Sequence, residues 1–532
     1  MMVNQMRTSA ERSPSFILFV TDQQRADYLG CYGHPVVRTP NIDAIAAKGT
    51  RFERFYVASP VCMVNRASLM TGRMPSVHGV RMNGIPLSQQ QATFVEVLRS
   101  AGYATALVGK SHLQNMVDIA PYVSREARRG RAPADNLAEA RRPYPGDYDQ
   151  ELPSRWRSQT PLTVQKPFYG FDHVDLCTGH GDLAGGHYYQ WLRKRLADPE
   201  SVRGPDRALP SNTICPQAWR TSVPENLYPT AYIRDCAVDY LATVGDQPFF
   251  LMVSFPDPHH PFTPPGRYWD LYDPDDFPLP RSFDAAERGV AAAQWARAFR
   301  QAHPDASGGY GAFSVSEREI REAMALTAGM IAMIDDAIGA VMEAASRHGR
   351  SDDTVVMFTS DHGDYLGDYG LLLKSFLHLQ GLVRVPFIWS DPANPDAHRR
   401  SDAIASTIDI AATILGRAGL QSYNGIQGRN LLPALAGDDI RAWTLVEEDG
   451  QQAQFGFDRA PRVRSLITAS HRLTLYDGVA QGELVDLAND PDEIHNLWDD
   501  PAMGELRPAM MEALARAQME HAETSPMPRY LA

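Results

Sequence analysis

Cys62 stands four residues ahead of Arg66, at the head of a helix-compatible run, Cys62-Met-Val-Asn-Arg-Ala-Ser-Leu-Met-Thr71, that stops at Gly72. A sulfur at a helix N-terminus feels the positive end of the helix dipole, and a guanidinium one turn on adds to it. The pair favours an anionic group at position 62 and an anionic substrate beside it; the plainer alternative is an inert packing cysteine. Two carboxylates, Asp22 and Asp361, are each followed by a side chain with a lone pair to give, Gln23 and His362. Two carboxylates, an amide oxygen and an imidazole suit a divalent cation, and the histidine shifts the preference toward manganese or another transition metal. Read singly, Asp22 is equally a helix cap and Asp361-His362 a turn. Gly109-Lys110-Ser111 resembles the end of a phosphate-binding loop, but six residues separate Gly102 from Gly109 where that loop has four. No nucleotide site is expected.

The elements that would carry these residues are legible as alternating apolar runs and helical patterns from residue 15 to about 420, the mark of an α/β sheet covered by helices. Strands are predicted at Phe16–Val20, Ala104–Val108, Pro248–Phe255, Thr354–Thr359 and Val385–Trp389. Helices are predicted from Asn41, as N-cap, to Gly49, from the capping box Thr93-Phe-Val-Glu96, from Ile320 to Ser346, and over Asp409–Gly419. Active residues of such sheets gather at the carboxyl ends of strands. Asp22, Lys110, His259 and Asp361 each follow a predicted strand, so four distant segments are expected to share one cleft. We expect a catalytic domain over 15–437, with insertions at about 113–235 and 263–315, and a smaller C-terminal α+β unit over 438–532. The latter would hold an antiparallel sheet from Arg464–Tyr476 and Gly482–Leu487 and a helix from Glu505 to His521. The first insertion is rich in Arg, Pro, Tyr and Trp, and reads as a cover for the cleft or a contact between copies of a homo-oligomer. Within it, Gly179-His-Gly-Asp182 and Tyr188-Tyr189 either line the pocket or fill loops.

The chain has 532 residues, 44% hydrophobic and 22% charged, enough for a large core. A net charge of −13 speaks against general nucleic-acid binding. No apolar run reaches the length of a membrane span, and the short polar N-terminus is unlike a signal peptide, so a cytoplasmic location is expected. Five cysteines at unrelated spacings predict free thiols.

The block around Cys62 resembles the sulfatase signature, Cys-x-Pro-Ser-Arg followed by Leu-x-Thr-Gly-Arg, here Leu69, Thr71, Gly72 and Arg73. Val64 departs from the proline or alanine of that signature and Asn65 from its usual serine. Gly109-Lys-Ser-His112 resembles the family's Gly-Lys-x-His, and Pro258-His-His-Pro261 its Pro-His-x-Pro. Lys374, ahead of Arg384-Val-Pro386, resembles its second lysine, with His378 a further candidate. Glu483-Leu-Val-Asp-Leu487 and Asn496-Leu497 are similar to its C-terminal strand and turn. The matches cover about 15–110, 250–265, 320–440 and 480–500.

The resemblance implies the fold of the alkaline phosphatase superfamily and a hydrolase of sulfate esters. Cys62 would be converted to formylglycine by a formylglycine-generating enzyme, and its hydrate would attack sulfur. One divalent ion would be held by Asp22, Gln23, Asp361, His362 and the residue-62 oxygen. His259 would serve the leaving group, Lys110, Lys374 and Arg66 the anion, and His112 the release of sulfate. Gln23 and His362 are closer to the choline sulfatase and phosphonate monoester hydrolase branch than to arylsulfatases. A phosphonate monoester or phosphodiester hydrolase is therefore the first alternative, and a non-catalytic binding protein on the same scaffold the second.

Overall fold

The computed structural model describes residues 13–121, 139–141, 144–158, 162–285, 291–303, 312–394, 397 and 399–531. Nine strands form the main sheet: β1 (Ser15–Thr21), β2 (Thr50–Phe52), β3 (Ala104–Gly109), β4 (His173–Thr178), β5 (Gly185–Gly186), β6 (Phe249–Ser254), β7 (Thr354–Ser360), β8 (Phe387–Ser390) and β9 (Arg400–Ser401). Their spatial order is β9-β2-β8-β7-β1-β6-β3-β4-β5. The central five, β7-β1-β6-β3-β4, are parallel, while β8 runs antiparallel to both of its neighbours. In register, Thr21 lies opposite Ser360, and Ser254 opposite both Val20 and Gly109. The four strand ends that precede the candidate residues thus finish level at one edge.

Alternate residues of β1 divide the core. Phe16, Leu18 and Val20 face α2 (Cys62–Thr71), α3 (Phe94–Ser100) and α6 (Asp409–Arg417). Ile17 and Phe19 face α1 (Pro40–Ala47), α4 (Pro229–Thr243) and α5 (Glu317–Arg347). A sheet covered on both faces needs apolar side chains at every position, which is why its strands read as unbroken hydrophobic runs. Helix α5 begins at a capping box, Ser316 with Glu319. It is long and apolar enough to cross a membrane by length and composition, and most of it is buried in the core.

The small second sheet, β10 (Trp443–Asp449), β11 (Arg462–Thr468), β12 (His471–Tyr476) and β13 (Glu483–Asp486), is antiparallel in chain order. Leu445, Leu466, Leu473 and Leu484 pack against Met510, Leu514 and Ala517 of α7 (Leu506–Glu520). Val446, Val463, Ile467 and Tyr476 join the core of the main sheet on the other face. The large mixed sheet with a smaller C-terminal antiparallel one is the fold class expected, and the five cysteines are unpaired.

Several local expectations need correction. Helix α1 starts at Pro40, and Asn41 is not its cap. Asp335 of α5 takes that place, accepting from the backbone N–H groups of Ile42 (2.8 Å) and Asn41 (3.1 Å). The stretch 173–186 supplies β4 and β5 of the main sheet. Arg464–Tyr476 is not one strand but a hairpin turning at Ala469-Ser470.

Candidate active site

Helix α2 is buried along its whole length, from Cys62 to Thr71, and ends at Gly72 with a left-handed φ of 61°. A Cβ at Gly72 would also lie 2.6 Å from Ile426, so glycine is required there twice over. The N-terminus of α2 is tied to the β7 turn by Asn65, the residue that departs from the signature serine. Its Nδ2 donates to the Asp361 carbonyl (2.6 Å) and its Oδ1 accepts from Ala58 N–H (3.0 Å). Val64 is fully buried in the core.

Cys62 Sγ lies 3.0 Å from His362 Nε2, 2.8 Å from Lys374 Nζ and 3.7 Å from Asp22 Oδ1. Arg66 Nε donates to Asp361 Oδ2 (2.7 Å), and its Nη1 to the Lys110 carbonyl (3.0 Å) and Ser254 Oγ (2.8 Å). Lys110 Nζ donates to Asp22 Oδ2 and, at 2.7 Å, to His180 Nε2. Gln23 has a left-handed φ of 63°; its Nε2 donates to Asp364 Oδ2 (2.6 Å) and its Oε1 faces Lys374 Nζ at 3.4 Å. His259 Nδ1 donates to the His260 carbonyl (2.5 Å), which can only accept, so Nε2 carries the lone pair that meets Lys374 Nζ at 3.0 Å. The same logic fixes His362, whose Nδ1 donates to the Gly363 carbonyl at 2.7 Å.

These charges set one another. Burial pushes the Asp22 carboxyl up, but Lys110, His259 and His180 outweigh it and hold it well below the carboxylate range. Burial and Asp22 raise the Cys62 thiol, while Lys374, His362 and Lys110 together bring it below an ordinary thiol. Burial lowers Lys374, yet Cys62, Asp22 and Asp361 leave it raised. Burial, with His180, Lys374 and His260 beside it, keeps His259 well below the usual imidazole range, and burial and Lys110 push His180 down to about 4.

The donor set fits a cation. Ligand atoms of Asp22, Cys62, Asp361 and His362 all lie within 4.8 Å of one another. The Lys374 ammonium is lodged among Cys62 Sγ, His362 Nε2, His259 Nε2 and Gln23 Oε1, four lone-pair atoms turned on one positive charge. Two carboxylates and the fixed tautomer of His362, with its Nε2 lone pair facing inward, are what a divalent ion needs.

Of the residues singled out from the sequence, Cys62, Arg66, Lys110, His259, Lys374, Asp22, Gln23, Asp361 and His362 converge. His112 reaches the rim of the group. Its backbone N–H bonds Glu151 Oε2 (2.8 Å), while the ring, held neutral by burial, Lys110 and Arg66, makes no hydrogen bond to Cys62 and leaves Nδ1 without a partner. His378 lies outside, between Ser465 Oγ (2.7 Å) and Glu448 (3.2 Å), because residues 373–379 are not helical and four residues do not make one turn. Tyr188 packs in the core. Sequence reasoning missed Asp364 and Glu151 and left His180 undecided; Asp364 follows Asp361 by three residues in the same turn, a spacing that was available.

Residues 14–420 match the family profile described as Sulfatase, and residues 367–520 one described as N-sulphoglucosamine sulphohydrolase, C-terminal. The arylsulfatase of Clostridium perfringens is 26% identical over 491 residues, 91% of this chain and 90% of that protein. The choline-sulfatase of Rhizobium meliloti is 26% identical over 504 residues, 92% and 83% of the two chains. Among solved structures, the phosphonate monoester hydrolase of Agrobacterium radiobacter superposes with a TM-score of 0.73 at 25% identity, covering 96% of this chain and 97% of that one. A profile spanning three quarters of the chain, with the signature cysteine, both aspartates and both lysines in one cleft, places this protein in the sulfatase family.

Proposed function

We propose that the protein hydrolyses sulfate esters of small alcohols or phenols, with residue 62 as the nucleophile after oxidation of its thiol to formylglycine. The observation that carries this reading is the convergence of Cys62 and Arg66 with Lys110, Lys374, Asp22 and Asp361 at one buried edge. Asp22, Gln23, Asp361 and His362 would hold one calcium or manganese ion, which, with the hydrated aldehyde, supplies an acidified hydroxyl to attack sulfur.

The remaining work falls to side chains already in place. Lys110, Lys374 and Arg66 offset charge on the transferring group in a largely buried site, where such charges act strongly. His259 meets the leaving oxygen through Nε2. Because Nδ1 is committed to the His260 carbonyl, Nε2 must first take up a proton, and Lys374, 3.0 Å away, is the adjacent donor. His259 and Lys374 therefore act as a pair: one proton passes from Nζ through Nε2 to the leaving oxygen, Lys374 is left neutral until it is reprotonated, and Lys110 and Arg66 keep the positive charge beside the transferring group. Asp361 keeps Arg66 in place and is kept by it.

The test is mass spectrometry of the peptide spanning Cys62 from active protein, together with turnover of aryl sulfates by native protein and Cys62→Ala. An aldehyde at 62 and loss of turnover in the folded variant support the reading; substantial turnover by the variant removes Cys62 from the chemistry. The similarity to a phosphonate monoester hydrolase favours a second reading, hydrolysis of phosphonate monoesters or phosphodiesters at the same site. A kcat/KM higher for aryl phosphonates or diesters than for aryl sulfates would select it.

A further inference from the structure

His180 belongs to none of the sequence motifs that mark the site, yet it stands inside it. It follows β4 in the segment Gly179-His-Gly-Asp182. That segment is built to hold one position. Asp182 Oδ2 accepts from Gly204 N–H (3.1 Å), Trp219 Nε1 (3.0 Å) and Thr221 Oγ1 (2.7 Å). Arg203 clamps the backbone through the carbonyls of Asp182 (2.8 Å) and Ala184 (2.5 Å). Gly181 has φ 54°, and a Cβ on it would come within 2.9 Å of Pro261 and Thr263, so only glycine lets this loop press against the turn that carries His259.

The result is specific. The His180 ring stacks on His259 with centroids 3.7 Å apart and planes 10° from parallel. Its Nε2 accepts from Lys110 Nζ at 2.7 Å, so the ammonium is shared between Asp22 and His180. Cys62, Lys110, Asp22 and His259 are nearly sealed, whereas the His180 side chain keeps 21% of its surface exposed, on the outer side of the pair it touches.

We infer that His180 is a positioning residue for the leaving-group side of the reaction, fixing Lys110 through its lone pair and His259 through its ring. The inference rests on the sulfate-ester reading above. Without the lone pair, Lys110 settles on Asp22 alone and withdraws from the anion. Without the ring, His259 loses one wall and its Nε2 no longer points at one place. Misplacing a catalytic group by about 1 Å costs on the order of 10²-fold.

Three variants separate the two contacts. His180→Phe keeps a ring on His259 and removes the acceptor, His180→Gln keeps an acceptor near Lys110 and removes the ring, and His180→Ala removes both. The measurement is kcat and KM for aryl sulfates of graded leaving-group acidity, with melting temperature and divalent-ion content as controls. The expected result is a fall in kcat for His180→Ala of roughly 10- to 100-fold, larger for poor leaving groups than for activated ones, with KM little changed. The Phe and Gln variants each recover part of it, and the controls stay near native. The inference is overturned by a His180→Ala kcat within about twofold of native, or by one equal loss across all leaving groups that neither Phe nor Gln relieves. A native protein inert toward every sulfate ester overturns the functional reading first, and this inference with it.

Discussion

Replacing Arg66 by Met keeps a long flexible side chain of similar reach and deletes only the guanidinium. In the native protein that group is 1% exposed and bonds the Asp361 carboxylate, the Lys110 carbonyl and Ser254 Oγ, with Asp22 3.8 Å from Nη2. The variant therefore leaves a carboxylate, a carbonyl and a hydroxyl facing apolar atoms. Removing one partner of a buried ion pair costs about 3–5 kcal/mol. Lys110 and Lys374 remain to share the orphaned charge, which puts the loss at the low end, about 3 kcal/mol. Urea unfolding followed by tryptophan fluorescence, in a chelating buffer, reads this as a lower midpoint. Saturating divalent ion restores positive charge between Asp22 and Asp361, so the gap between native and variant should narrow when it is added. A loss under about 1 kcal/mol in chelator, or a gap indifferent to the ion, would refute the view that Arg66 acts as the counter-charge of this pair.

Two further outcomes follow from the same geometry. Asp361→Ala should abolish bound divalent ion and turnover together, as read by elemental analysis and rate; an active variant with stoichiometric ion would remove Asp361 from the donor set. Burial pushes Glu151 up to about 7, although the N–H groups of His112, Leu113 and Gln114 pull it down. The folded chain thus keeps a proton that the unfolded chain releases near its ordinary value of 4.5, so this group's contribution to stability is complete at low pH and is lost as pH rises through 7. The stability of native protein relative to Glu151→Gln should fall by about 2 kcal/mol between pH 5 and 8 in denaturant titrations; a rise instead would reverse the assignment.

The cleft was legible because parallel strand ends share an edge: Asp22, Lys110, His259 and Asp361 each follow an apolar run, and runs of that kind belong to a sheet covered on both sides. What depended on irregular backbone was not legible. His378 shares a face with Lys374 only if the chain between them is helical, and residues 374–379 form no helix. Strand β10 hides behind Glu447, Glu448 and Asp449, which are buried against His378, Arg81 and Arg464 and so defeat an apolar pattern. Asp335 caps α1 from a helix 294 residues away in sequence, and no local signal carries such a partner. His180 is of the same kind, set by a sheet-edge strand and a clamp that only the folded chain assembles.

The burial of α2 also orders events in time. Any enzyme that oxidises Cys62 must grip the surrounding chain, and in the finished fold Cys62 to Thr71 are all enclosed. Oxidation on the proposed mechanism therefore races folding and has to be over before the β7 turn closes on the thiol. His362 follows Cys62 by 300 residues. At about 5–20 residues per second of synthesis, roughly 15–60 seconds pass before that turn exists at all. If residue 62 is oxidised as proposed, this separation in sequence acts as a clock, keeping the thiol outside a closed site while those 300 residues are made.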